Sequence, residues 1–230
     1  MTTLRYHLKL LNYDYLLITG IVWALGAFLS WFTYHTFNQG DMTISILELI
    51  FPVPVAVLAS AAFAGDPARE VVCTAERPVW RIVASRIAIV LALLVAMALL
   101  FDAYLAVLRI PLPGDGGWLE QQLVWLSPAL VLVFASLLAS LWSRSATVGA
   151  AVAVGIWLLE IVLHQLLTDE IVLHGGWLDA SQRIFLFATL WEKGAPYWLL
   201  NREILIGIAA ALAVACLWRM SRTEWLLGGE

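Results

Sequence analysis

"IAIVLALLVAMALLFDAYLAVL", residues 87–108, decides the fold. A single charge, Asp102, interrupts a run that holds neither glycine nor proline. At 1.5 Å rise per residue, a helix of this length crosses the ~30 Å hydrocarbon core of a bilayer. Lipid offers the backbone no water, so a helix, which satisfies its own N–H and C=O groups, is the form such a run must take.

Similar runs recur on both sides of it. Six spans are expected, over 16–34, 44–63, 87–108, 123–142, 146–167 and 204–218, the last able to extend back through Trp198 or on past Met220. Composition agrees. Of 230 residues, 62% are hydrophobic and 13% charged, too few charges to clothe a soluble surface that normally carries about a quarter. The expected fold is all-α: a polytopic membrane protein forming one transmembrane domain over residues 1–230.

The net charge of -4 and the lack of a dense basic stretch argue against nucleic acid as a partner. Cys73 and Cys216 lie far apart, with no metal-site spacing, and read as inert thiols. Leu4, Leu8, Leu11 and Tyr15 share a helical face, so 1–15 is expected to lie in the interface rather than form a cleavable signal.

Basic residues set the expected orientation. With both termini on one side, nine of the 13 fall there: Arg5, Lys9, Arg69, Arg77, Arg81, Arg86, Arg144, Arg219 and Arg222. Arg109, Arg183, Lys193 and Arg202 fall on the other side. The termini and the loop 65–86 are therefore expected in the cytoplasm. Trp31, Trp118, Trp125, Trp177, Trp191 and Trp198 would mark the outer interface, and Trp80, Trp142, Trp218 and Trp225 the inner one.

Within spans, Ser136/Ser140, Gly149/Ala153 and Ala209/Ala213 place small residues four apart, where helix backbones approach closely. Pro52, Pro54 and Pro128 should kink or break their helices. Outside, Asp179 and Gln182 form a cap-like pair before "RIFLFATLW", an expected short external helix that Gly194 and Pro196 end within the segment 168–203. Glu48 and Asp102 are expected at the outer interface, reaching headgroups or water. Glu160 and His164, one turn apart, either line a substrate path or do the same.

The loop "GDPAREVVCTAERPVWRIVASR", residues 65–86, is the most polar island between two spans. Asp66 is an N-cap with Pro67 at the first helical position, and Glu70 complements the positive helix end. Arg77, preceding Pro78, cannot continue the helix, so a short helix over 66–76 turns a corner near Glu76. Pro78 then opens a second helix that carries Arg81 and Arg86 into the third span.

These residues resemble a family. A span, Gly-Asp, a Glu four residues on, then Pro and an arginine-bearing start to the next span are similar to the permease subunits of type-2 ABC exporters. The matching positions are Asp66, Glu70, Pro78, Arg81 and Arg86. The six spans, the short "WSRSAT" turn and the external apolar helices fit the same pattern. The resemblance implies that residues 66–76 are a coupling helix. Asp66, Pro67, Arg69, Glu70, Glu76, Arg77, Pro78 and Arg81 would then contact a separate ATPase subunit. It also implies a second permease copy, or a related permease, as partner and a bacterial-type cell membrane as the location. The substrate would be amphipathic or hydrophobic: a lipid, a peptide or a drug.

ATP and its magnesium would sit on the partner. Lys9 and Lys193, the only lysines, are followed by Leu10 and Gly194, so this chain has no phosphate-cradling Gly-Lys-Ser/Thr loop and no cofactor of its own is expected. Two alternatives stay open. One is an intramembrane enzyme using Glu160, His164, Asp169 and His174; the other is an ion-coupled carrier, though no internal repeat is evident.

Overall fold

A computed structural model of the chain describes residues 13–37, 46–64, 79–109, 118–168, 184–187 and 198–222. Every regular element among them is a helix: α1 (Tyr13–Phe37), α2 (Pro52–Ala64), α3 (Val79–Val107), α4 (Trp118–Ser143), α5 (Ala146–Thr168) and α6 (Trp198–Met220). Five stretches are long and apolar enough to cross a membrane: Ile46–Ala64, Val79–Val107, Glu120–Ser143, Ala146–Leu163 and Trp198–Met220. The sixth expected span coincides with α1, which is not among these five. The 1–15 interfacial helix falls almost wholly, and the coupling helix 66–76 entirely, outside the described residues.

The helices run up and down. At one end α3 finishes while α4 and α6 begin; we call it the acidic end, for Glu48, Asp102, Glu120, Glu160 and Glu203. At the opposite, arginine end lie Arg81, Arg86, Arg144, Arg219 and Arg222. Among the side chains described, no acid accompanies these five.

Small residues bring helices together towards the arginine end. At Gly149 on α5, an added Cβ would lie 2.6 Å from the Ser136 carbonyl oxygen, 2.7 Å from Ser140 Cβ and 2.8 Å from Ser60 Cβ. Three helices therefore meet at one glycine. Beside it, Ser136 Oγ donates to the Ala56 carbonyl at 2.7 Å, crossing from α4 to α2. In lipid, where apolar groups gain nothing by leaving water, such close contact and cross-helix bonding drive association. On α6, Ala209 is buried against the core.

Each proline acts differently. The stretch Ile46–Ala64 is broken: residues 46–49 are helical, Ile50 and Phe51 turn, and α2 restarts at Pro52. Pro52 and Pro54 lack the N–H groups a continuous helix would need, and Phe51, preceding a proline, is pushed out of the α region. The carbonyl of Leu49, at the break, accepts from Trp157 Nε1 at 3.0 Å. Pro128, by contrast, sits inside a continuous α4. A short turn joins α4 to α5: Arg144 takes a left-handed φ of 59°, and the Ser145 side chain caps the Val148 N–H at 3.4 Å.

Two expectations are corrected. Residues 184–187, the described part of the expected external helix, are in turn conformation, because side chains of other helices take their peptide groups, as set out below. Trp125 is a core residue, 3% exposed, rather than an interfacial one; its Nε1 donates to Gln122 Oε1 at 3.0 Å.

Candidate functional site

The acidic end carries the densest polar chemistry in the described structure, and it is buried. Glu48 lies one turn before the Pro52 break, and Arg202 lies in the second turn of α6. Both are 0% exposed, and Arg202 Nη2 pairs with Glu48 Oε1. This corrects the expectation that Glu48 reaches headgroups or water. An uncompensated charge at this depth is expensive, so the broken stretch and the last helix hold each other's counter-charge.

Arg202 does more than neutralise. Its Nη1 donates to the carbonyls of Val124 at 3.3 Å and Leu186 at 3.1 Å, and to Ser127 Oγ at 3.3 Å. The Val124 contact has a local cause. Pro128, four residues on, has no N–H to give that carbonyl, so α4 presents an orphan acceptor that the guanidinium takes. The Trp198 ring, 5.1 Å from the guanidinium carbon, covers one face of it.

Around this centre, three side chains fasten residues 184–187. Asn201 Nδ2 donates to the Phe185 carbonyl at 2.9 Å, Arg202 to that of Leu186, and Glu160 Oε2 accepts from the Leu186 N–H at 3.3 Å. Phe185, Leu186 and Phe187 are buried. The strap thus fills its backbone bonds with side chains from α5 and α6, which is why it need not be helical. Glu160 lies in α5 about two turns before its end, at the acidic end, and its bond goes to the strap; the His164 side chain lies outside those described. A second chain of bonds stands beside the first. Gln122 Nε2 donates to Asp102 Oδ2 at 2.9 Å, linking α4 to α3, so half-buried Asp102 is tied to protein.

Of the residues expected to meet an ATPase, Asp66, Pro67, Arg69, Glu70, Glu76, Arg77 and Pro78 lie outside the described residues. Arg81 is exposed in the first turn of α3, its guanidinium 5.3 Å from the Trp80 ring. Arg86, one further turn and a half along, is buried and donates from Nη1 to the Ala62 carbonyl at 2.7 Å. Cys216 is a buried free thiol directed at the Phe134 carbonyl, 3.6 Å away.

Among the described residues no three His, Cys, Asp or Glu side chains come together as a metal would need. Glu48 and Arg202 form a buried pair of opposite charge that ties the broken stretch to α6. Fold and site define a multi-pass, all-helical membrane protein closed at one end by buried polar contacts. Neither a family model, nor a curated protein, nor a solved structure matches the chain.

Proposed function

We propose that the chain is the permease subunit of a type-2 ABC exporter, moving an amphipathic or hydrophobic substrate outward with energy from a separate ATPase. The reading rests on the sequence pattern of Asp66, Glu70, Pro78, Arg81 and Arg86. The structural observation that supports it best is the joint at the arginine end. Arg86 on α3 donates to the Ala62 carbonyl in the last turn of α2, so the two helices that flank residues 65–78 are pinned together where that segment leaves the bundle. α2 in turn packs against α4 and α5 as well as α3. A push on the 66–76 helix would reach α2 through a stiff joint and spread from α2 into most of the bundle.

In this reading the coupling residues are Asp66, Pro67, Arg69, Glu70, Glu76, Arg77, Pro78 and Arg81. The ATPase binds ATP and magnesium, a second permease completes the pathway, and both termini face the cytoplasm of a bacterial-type cell. Coupling requires two positions of the lever that nucleotide binding biases.

The test is affinity purification in mild detergent with identification of the chains that come with it. An ATPase is expected at about one per permease, lost on Glu70→Lys. A chain that purifies alone and intact, or with a retained metal in place of an ATPase, contradicts the proposal.

A further inference from the structure

The two halves of α5 are held in different ways. Towards the arginine end its packing is tight: Gly149 meets α4 and α2 closely, and Ala153 is buried. From Val154 to Leu163 no residue is buried, although Ile156 and Trp157 touch the core. Nothing lies within 4 Å of a Cβ built at Gly155, and Leu158, Leu159 and Val162 are exposed. Among the described residues, two side-chain hydrogen bonds hold this half. Trp157 Nε1 donates to the Leu49 carbonyl at 3.0 Å, and Glu160 Oε2 accepts from the Leu186 N–H at 3.3 Å. Neither partner belongs to an unbroken spanning helix: Leu49 stands at the proline break, and Leu186 in the strap. Leu186 is bonded to α5 through its N–H and to α6 through its C=O, which accepts from Arg202. α5 and α6 each pack along α4, so the strap ties them to one another at the acidic end.

We propose that α5 is a hinged element. Anchored at Gly149 and Ala153, its acidic-end half swings away from the strap and α6, and Trp157 and Glu160 are the clasps that hold it shut. A segment with few buried contacts opens locally at far less cost than the whole fold. Each hydrogen bond contributes little net, so the closed and open positions lie close enough in free energy for both to be populated. A moving helix keeps its own backbone bonds, so the swing strands no peptide group of α5 in lipid. What it uncovers is polar and near the end of the span: the Glu160 carboxyl, the Leu49 carbonyl and the Leu186 N–H. The inference rests on the packing of α5 and stands whether or not an ATPase binds.

Electron–electron double resonance between paired nitroxides tests it, in a Cys73→Ser background with buried Cys216 left in place. One pair, Leu159→Cys with Leu199→Cys, reports the acidic end; the other, Val148→Cys with Leu217→Cys, reports the arginine end. All four positions are exposed. Labelled chain is diluted with unlabelled chain, so that only distances within one molecule are read. The acidic-end pair is expected to show the broader distribution. Glu160→Leu, which removes the acceptor, should shift it several ångström longer and leave the arginine-end pair unchanged. Glu160→Gln keeps an acceptor oxygen and should return the parent distribution. Trp157→Phe, which opens the other clasp while keeping a ring in place, should lengthen the same distance if Glu160→Leu cannot be purified folded. An acidic-end distance unmoved by loss of either clasp overturns the proposal. Equal broadening at both ends would mean general loosening rather than a hinge and overturn it as well. So would a Glu160→Gln shift as large as that of Glu160→Leu, since the hydrogen bond would then not be what holds α5.

Discussion

The Glu48–Arg202 pair at one end of the bundle and Arg81 and Arg222 at the other hold charge in opposite ways. At the acidic end, Glu48 and Arg202 are fully enclosed, and Arg202 spreads its donors over Val124, Ser127 and Leu186. At the arginine end, Arg81 and Arg222 lie exposed on tryptophan faces, their charge held at the surface. Enclosed charge must find a partner within the protein, and so ties helices together. Surface charge remains available to headgroups or to another subunit. Arginine therefore serves as a fastener where it is enclosed, at Arg202 and also at Arg86, and as a surface charge at Arg81 and Arg222.

The contrast can be broken most severely at Arg202. Arg202→Met leaves Glu48 enclosed without its cation and removes the donors from two carbonyls. A loss of about 3–5 kcal/mol is expected, enough to make the purified chain aggregate or melt at least ten degrees lower. A melting temperature within two degrees of the parent would show that the enclosed end is not a fastener.

Next in size is Gly149→Val. The nearest obstacle to a new side chain is the Ser136 carbonyl oxygen, a backbone atom that cannot rotate away. Overpacking should cost about 1–3 kcal/mol, visible as a lowered thermal midpoint in detergent. Gly155→Val, on the same helix with open space around its Cβ, should be nearly neutral in the same assay.

Arg86→Met removes the bond to the Ala62 carbonyl, worth about 1.5–3 kcal/mol for a charged donor at most, and somewhat less where other donors can reach the carbonyl. Its sharper readout is functional. If the joint carries force, ATP hydrolysis by the reconstituted complex should persist while transport falls. Equal loss of both would point to misfolding instead. The smallest effect on stability is expected from Glu70→Lys, which should leave the melting temperature unchanged and abolish ATPase binding; retained binding would remove the coupling role.

Most of the architecture was legible in the sequence, because a spanning helix is written locally, in the length and apolarity of one run. The runs at 44–63, 87–108, 123–142 and 146–167 carried that signal, and the last helix extends in both directions past 204–218, as its flanking residues allowed. Breaks were legible too: Pro52 ends one helical piece and begins another. The fastener was not. Glu48 and Arg202 are 154 residues apart, and nothing in the periodicity of either segment names the other.

Two signals pointed that way. Extending the last span back through Trp198 puts Arg202 inside a helix, where it demands an acid. Pro128 frees the Val124 carbonyl, which demands a donor. Residues 184–187 were misread for a related reason: their apolar sequence suits a helix, but Asn201, Arg202 and Glu160 supply the backbone bonds from outside.

The enclosed pair is most directly tested by a thermal-stability cycle on three variants: Glu48→Leu, Arg202→Leu, and both together. An ion pair sealed from water makes the double variant more stable than either single one, because it removes both charges instead of stranding one. Additive losses, with the double variant the least stable of the three, would show that the two side chains act independently and would contradict the account.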